Sequence, residues 1–149
     1  MCDTKSEEVM LRSMLCWIFL VVTVSNVHGA DGGLPPDFLA GEYLLIGRGL
    51  ENGKLYSGRL VLELEEAGLL VKRMVGGITT IGMGRIEKAD LAETEVLRIR
   101  FTENSINYEE TCLIATDLDN HARISCYLYR PGIYTRAPGL EAFFAVKKN

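Results

Sequence analysis

Closely spaced turn residues divide the chain after position 40 into short runs rich in β-branched, aromatic and aliphatic residues. Such runs, bounded by Gly, Pro, Asn, Asp or Ser, are typical of β-strands, and none of them continues into a stretch with helical periodicity. Residues 88–95 are interpreted as either a single helical turn or a loop. The predicted strands are residues 42–48, 55–65, 69–75, 78–87, 96–102, 106–116, 122–129 and 140–147. The pattern predicts an all-β fold.

Two neighbouring turns predict the same inward face for the strand that they share. The Gly76-Gly77 pair fits a two-residue type I′ turn, and residues 65–68 form the connection before that strand. Because a turn fixes which residues face each other across a hairpin, each connection gives a register for the strand at residues 69–75. The residues that the two registers place inward are Leu60, Leu62, Leu64, Leu69, Val71, Val75 and Ile78.

Short sequential turns between about eight strands predict a single-domain antiparallel up-and-down meander. Closure into a barrel is favoured, because closure removes the edge strands that an open sheet exposes. A two-sheet sandwich stays open as the alternative, since the sequence does not show whether residues 140–147 pair with residues 42–48.

The N-terminal segment has the layout of a secretory signal peptide. Residues 14–24, MLCWIFLVVTV, form an apolar run that follows Arg12 and precedes the small and polar stretch SNVHGADGG. The run is shorter than the roughly 20 residues that a membrane-spanning helix needs, so we expect cleavage after Gly29 or Ala30 and no membrane span in the mature form. An uncleaved anchor is the alternative. We predict a signal peptide at 1–30, a linker at 31–40 and a β-barrel domain at 41–149, in a secreted or periplasmic protein.

Export would leave two cysteines, Cys112 and Cys126, and one histidine, His121, in the mature chain. A turn at residues 118–120 places Cys112 opposite Cys126 on the apolar face of a hairpin, and extracytoplasmic compartments keep such pairs oxidised, so we predict a disulfide. The intervening TDLDNH is interpreted as an Asx-rich turn, because it lacks the spacing, the glycine and the distal glutamate of a calcium loop. A zinc site needs more ligands than these three residues offer. No metal and no cofactor is predicted.

Three polar residues and two glycines fall on the predicted inward face: Arg73, Tyr108, Glu110, Gly82 and Gly84. A charged residue there is costly unless it is paired or reaches water. Three interpretations of Arg73 and Glu110 are therefore open. They form an internal ion pair, they lie near a barrel mouth where the charges reach water, or they are polar anchors in a ligand cavity. The glycines either leave room for that ligand, or permit a bend or a large neighbouring side chain. These five are the candidate ligand-binding residues.

The segment RPGIYTRAPG at residues 130–139 is interpreted as either a rigid strand connection or a protein-binding loop. Its Pro-Gly turns would hold a long connection in place, whereas Tyr and Arg are common in protein interfaces. The candidate protein-interaction residues are Tyr127, Tyr129, Arg130, Tyr134 and Arg136.

The first predicted strand opens with Gly41-Glu42-Tyr43. Together with the strand count, the size and the export signal, this opening resembles the calycin-type barrels, the lipocalins and the avidin group, whose first strand often begins Gly-x-Trp. The resemblance implies an eight-stranded barrel that carries a small ligand. Tyr43 stands where these families have Trp, and the mature chain lacks the several tryptophans that line avidin-type sites, so biotin binding is not expected.

Charge and motif content argue against several function classes. The net charge is −4 and the basic residues are scattered, whereas nucleic-acid binding needs a basic cluster. The sequence has neither a Gly-x-Ser-x-Gly elbow nor a second mature histidine, so no catalytic residues are predicted. The sequence favours an exported non-enzymatic protein that binds a small apolar ligand in the barrel interior or a protein partner through its loops. The alternatives are an interaction module whose barrel is filled by its own side chains, and an extracytoplasmic hydrolase, for which Glu110 has no identifiable second carboxylate.

Overall fold

Turn residues end the strands close to the positions that the sequence pattern predicts. The computed structural model describes residues 35–89, 94–114 and 123–146. A 3₁₀-helix, Pro36–Leu39, precedes the strands. The strands are β1 (Gly41–Arg48), β2 (Leu55–Glu65), β3 (Gly68–Val75), β4 (Ile78–Lys88), β5 (Glu95–Glu103), β6 (Ile106–Leu113), β7 (Arg123–Tyr129) and β8 (Gly139–Ala145). The predicted all-β fold is confirmed.

Some predicted segments lie outside the described residues. They are the signal peptide at 1–30, residues 90–93 of the segment interpreted as a helical turn or loop, and the TDLDNH turn with His121. The barrel belongs to the unit Gly32–Asn149, and the chain's other unit, Met1–Asp31, is not described.

The eight strands close into a barrel. Each strand pairs antiparallel with the next one along the chain, and β8 pairs antiparallel with β1, from Tyr43 opposite Ala145 to Arg48 opposite Leu140. The predicted up-and-down barrel is confirmed and the sandwich alternative is wrong. Closure follows from the preference for leaving no strand edge unpaired, since an open edge presents a row of unsatisfied backbone groups.

The registers that the turns predicted are confirmed. Gly76 and Gly77 have φ values of 59° and 80°, which a type I′ turn requires, and the turn sets Val75 opposite Ile78. Leu64 and Ile78, however, were predicted to lie in the core and are 58% and 53% exposed. Ile78 directly follows one turn and Leu64 lies one residue before the end of β2, so both are at an end of the barrel, where an inward-pointing side chain is no longer enclosed by neighbouring strands.

The core fills much of the barrel interior. Phe143 from β8, Leu97 from β5 and Leu69 from β3 have no exposed surface, and the neighbouring strands add further leucine, isoleucine and valine side chains. An eight-stranded barrel has an interior that side chains of this size can fill. The interior at this level is therefore a packed hydrophobic core.

The 3₁₀-helix, which lies in the predicted linker, covers one end of this core. Two consecutive prolines, Pro35 and Pro36, fix the backbone at its start, where a missing N–H has no cost. Leu39 is buried against the core, and the hydroxyl of Tyr43 donates to the backbone carbonyl of Leu39 at 2.8 Å. The opposite end of the barrel carries the connections after β1, β3, β5 and β7, and we call it the loop end.

The predicted disulfide joins Cys112 on β6 to Cys126 on β7. The two residues are direct cross-strand partners, as the sequence predicted, and both are buried. Among the described residues, no helix is long and apolar enough to cross a membrane.

Loss of the disulfide is expected to destabilise the barrel through the unfolded chain. The Cys112→Ala/Cys126→Ala variant should lower the free energy of unfolding by about 3 kcal/mol, because the bond closes a loop of roughly 15 residues. Urea denaturation followed by circular dichroism measures this loss of stability. The matched comparison is between the wild type with reductant and the variant without it. Thiols that react with iodoacetamide in the unreduced native protein would contradict the assignment.

Candidate functional site

A cavity of about 460 Å³ opens at the loop end of the barrel. It is bounded by the β1–β2 connection and by inward-facing side chains from β2, β3, β5, β6 and β7. The residues of its lining that determine its chemistry are Tyr56, Arg73, Phe101, Glu103, Tyr108 and Arg130. Two of the predicted ligand-binding residues, Arg73 and Tyr108, therefore line the same cavity.

Arg73 carries a buried charge at this cavity. Its side chain is 8% exposed, and its Nη2 lies 2.5 Å from Oε1 of Glu141, with Oε2 of Glu103 at 3.6 Å from Nη1. The guanidinium lies over the rings of Tyr56 and Phe101, at 5.5 and 5.3 Å from their centroids. Burial alone would lower the pKa of Arg73, but attraction to the Glu141 carboxylate outweighs it, so the pKa is raised and the group stays charged.

Glu141, on β8, is the acceptor around which the buried polar groups are arranged. Its Oε1 accepts hydrogen bonds from Arg73 and from the hydroxyl of Tyr56. Tyr56 reaches it by lying across Gly47, because a Cβ at Gly47 would be 2.3 Å from the tyrosine ring. Burial raises the pKa of Tyr56, and the negative charge of Glu141 raises it further, so the hydroxyl keeps its proton and donates.

Glu110 lies deeper in the barrel and does not line the cavity. Its side chain is fully buried, and neither of its oxygens has a hydrogen-bond donor among the described residues. Its carboxyl is within hydrogen-bonding reach of Glu141, and burial together with that neighbouring charge raises the pKa of Glu110 well above its ordinary value. The sequence-based interpretation of an internal Arg73–Glu110 ion pair is wrong in its partner, since the carboxylate that binds Arg73 belongs to Glu141.

The Glu110 carboxyl also lies close to the disulfide. One of its oxygens and the sulfur atoms of Cys112 and Cys126 are all within 4.8 Å of one another. Because the two sulfurs are bonded to each other, they are not available as thiolate ligands. This group of residues therefore offers a metal ion only the Glu110 carboxyl.

Gly82 and Gly84 lie on the inner side of β4, away from the lining of the loop-end cavity. A Cβ at Gly82 would be 2.6 Å from the backbone oxygen of Arg100, and one at Gly84 would be 3.2 Å from a methyl carbon of Leu97. The missing side chains allow β4 to pack closely on β5. This arrangement supports the interpretation in which the glycines make space for neighbouring protein atoms.

The five candidate protein-interaction residues do not form one surface. Tyr134 and Arg136 are exposed in the connection between β7 and β8, and Tyr134 is 91% exposed. Arg130 instead lines the cavity, with its guanidinium 5.9 Å from the ring centroid of Tyr108. Tyr127 lies on the outer face of the barrel beside an apolar groove of about 390 Å³, and Tyr129 joins a separate polar network.

That network lies on the outer face of β4–β7. Arg98 and Arg100 each contact both Glu87 and Glu109, at distances between 2.7 and 3.0 Å. The hydroxyl of Tyr129 donates to Glu109. Arg100 and Glu109 are direct cross-strand partners in the register of β5 with β6. None of these residues belongs to the lining of the loop-end cavity.

The sequence missed Tyr56 and Glu141, and the two omissions have different causes. Tyr56 lies in a predicted strand, but its role depends on Gly47 in the neighbouring strand. Glu141 lies opposite Cys126 in the register of β7 with β8. The long connection between those strands does not set a register, so its inward position was not predicted. Glu141 shares the inward face of Phe143, two residues further on, but Phe143 and Phe144 are both apolar, so the sequence does not show which of them points inward.

No protein-family model matches the chain, and no curated protein matches it in sequence. The function must therefore be inferred from the geometry and charge of the cavity.

The contact between Gly47 and Tyr56 can be tested by adding one methyl group. We expect Gly47→Ala to lower the free energy of unfolding by about 1–3 kcal/mol, because the Tyr56 ring must move away and its hydrogen bond to Glu141 is lost. Gly41→Ala on the same strand is the control, since its Cβ would meet the nearest side chain at 3.9 Å. Equal urea-denaturation midpoints for the two variants would contradict this role of Gly47.

Proposed function

We propose that the protein is an exported, non-enzymatic carrier that binds a small anionic ligand with a flat apolar part in the loop-end cavity. Arg73 is the observation on which this proposal rests. It is a buried cation in the lining of a cavity, and the carboxylate oxygen next to its Nη1, Oε2 of Glu103, lies 3.6 Å away, beyond hydrogen-bond distance. A buried donor without a partner has an energetic cost that an acceptor on a ligand would remove.

The charges around the cavity favour an anion. Its lining includes three basic residues, Lys54, Arg73 and Arg130, and one acidic residue, Glu103. Charge-assisted hydrogen bonds from arginine to carboxylate, sulfonate or phosphate oxygens are among the strongest that a protein forms. A ligand with one such group would meet an excess of positive charge.

The aromatic lining supports a flat apolar part in the same ligand. Phe101 and Tyr108 are stacked, with ring centroids 5.4 Å apart, and Val75 and Leu128 add aliphatic surface. Small-ligand sites commonly combine such surface with a few polar groups that fix orientation. The packed core lies below, which supports a ligand at the barrel mouth and not deep in the interior, where the sequence suggested it.

The hydrolase alternative receives less support from this geometry. Glu141 is the second carboxylate next to Glu110 that the sequence did not identify. Both carboxyls are buried, however, and neither belongs to the lining of the cavity. Glycoside hydrolysis requires two carboxyls that flank a bound substrate, so a binding function fits this arrangement better.

The other alternative is a barrel filled by its own side chains. It fits the interior below the cavity, where the hydrophobic core is packed.

A pair of fluorescent probes tests the class of ligand. 8-Anilinonaphthalene-1-sulfonate carries a sulfonate, and N-phenyl-1-naphthylamine has the same rings without it. We expect saturable binding of the sulfonate, and binding of the neutral probe that is at least about tenfold weaker, which corresponds to about 1.4 kcal/mol. Equal affinity for both probes would contradict the anionic ligand, and no binding of either would contradict the cavity as a ligand site.

Arg130→Met tests the contribution of the cavity's cations. We expect it to weaken binding of the sulfonate about tenfold, the effect of losing a charge-assisted hydrogen bond of about 1.5 kcal/mol, and to leave the neutral probe unchanged. Arg136→Met is the matched control, because Arg136 lies in the same connection but outside the cavity lining. The same loss in both variants would indicate a general charge effect and would contradict a direct contact.

Export is supported by the apolar run at residues 14–24 and by a disulfide that joins β6 to β7. The resemblance of the sequence to lipocalin-type carriers agrees with this location. Intact mass of the protein recovered outside the cytoplasm should correspond to a chain that begins after Gly29 or Ala30. A mass that retains residues 1–30 would contradict the predicted cleavage.

A further inference from the structure

The carboxyls of Glu110 and Glu141 form a contact that ionised groups do not explain. Glu141 uses Oε1 for Arg73 and Tyr56, while its Oε2 and both oxygens of Glu110 have no donor among the described residues. The two carboxyls nevertheless lie close together: Glu141 is the cross-strand partner of Cys126, an oxygen of Glu110 is within 4.8 Å of the Cys126 sulfur, and Glu110 is within hydrogen-bonding reach of Glu141. One proton on Glu110 would let it donate to the free oxygen of Glu141, and two of the three unpartnered oxygens would then be satisfied.

The charges around this pair require the same proton. The titratable or charged groups that face it are Tyr56 from β2, Arg73 from β3 and, beyond Arg73, Glu103 from β5; Cys112 and Cys126 are held in the disulfide. Arg73 is the one cation in this set and Tyr56 is neutral. With Glu110 protonated, Arg73 and Glu141 form a neutral pair. With Glu110 ionised, two buried carboxylates would share one guanidinium, and like charges in a dry interior repel strongly.

We propose that Glu110 and Glu141 form a proton-binding site inside the barrel, and that this proton controls the affinity of the cavity for its anionic ligand. The second part rests on the proposed function. With the proton bound, Arg73 has one buried carboxylate partner, and it keeps donors for a ligand in the cavity. When the proton is lost, the Glu110 carboxylate competes for Arg73 and adds a negative charge beneath the ligand. Rising pH therefore weakens binding, and binding of an anion takes up protons.

The proton itself is detected by titrating ¹³C-carboxyl-labelled glutamates by NMR. We expect one carboxyl of the wild type to titrate well above the ordinary glutamate value of about 4.3, and we expect that transition to be missing in Glu110→Gln. The glutamine amide donates to Glu141 as a protonated carboxyl would, so this variant imitates the protonated state. Glu103→Gln, a change at the partly exposed carboxylate near Arg73, should keep the transition. A wild type in which every glutamate titrates near its ordinary value would overturn the proposal.

Stability provides a second test, and its wild-type measurement does not depend on the variant's folding. Because the pKa of Glu110 is raised in the folded state, its contribution to stability is fully present below the unfolded value of about 4.3 and is lost as pH rises through the folded value. The urea midpoint of the wild type should therefore decrease as the pH is raised from mildly acidic to alkaline. The midpoint of Glu110→Gln should not decrease over that interval. A wild-type midpoint that is constant or rises over that interval would overturn the proton site.

Control of the ligand is measured with the sulfonate probe over the same pH interval. We expect its affinity for the wild type to fall about tenfold as Glu110 loses its proton, and to stay constant for Glu110→Gln. The same fall in both proteins would overturn the regulation and leave the ligand site intact. Failure of the probe to bind at any pH would overturn the proposed function and with it the regulation, while the NMR titration would still decide whether the proton is present.

Discussion

The pairing of β8 with β1 is the constraint on which the rest of the structure depends. It removes the last open strand edges and encloses an interior from which water is largely excluded. It also sets Glu141 opposite Gly47, the residue across which Tyr56 reaches that carboxylate. A buried guanidinium such as that of Arg73 is tolerated only if a carboxylate meets it with good geometry. Closure of the barrel supplies that carboxylate from the far end of the chain, so that fold and site depend on the same strand pairing.

Much of the fold could be predicted because short turns fix local registers. The two connections around β3 placed Leu60, Leu62 and Val71 in the core, and the register of β6 with β7 paired Cys112 with Cys126. The same reasoning turned Arg73 and Glu110 inward. It could not supply the partner of Arg73, because a long connection between β7 and β8 carries no register and because barrel closure is a property of the whole sheet. The inward positions of Arg73 and Glu110 could therefore be predicted from the sequence. The roles of Tyr56 and Glu141 required the tertiary structure.

The ends of the barrel show a second limit of the sequence pattern. Leu64 and Ile78 have the alternation of core residues, yet both are exposed, whereas Tyr108 on β6 is half-buried and lines the cavity. Alternation indicates which way a side chain points, but burial depends on what encloses it at that height in the barrel. At the end near Pro36–Leu39 the 3₁₀-helix covers the core, and at the loop end the corresponding space is the cavity.

The position of the polar cluster bears on why the interior is not uniformly apolar. Replacing a buried ion pair with hydrophobic side chains of similar volume is often neutral or stabilising, so the cluster is not needed for stability alone. Arg73 is the one member of its pair that reaches the cavity, and Glu141 holds it there from below. Gly47, on the neighbouring strand, leaves the space that Tyr56 occupies to reach the same carboxylate. A guanidinium held by two strands and one tyrosine loses little conformational freedom when it binds an acceptor, and this preorganisation is what a small-ligand site requires.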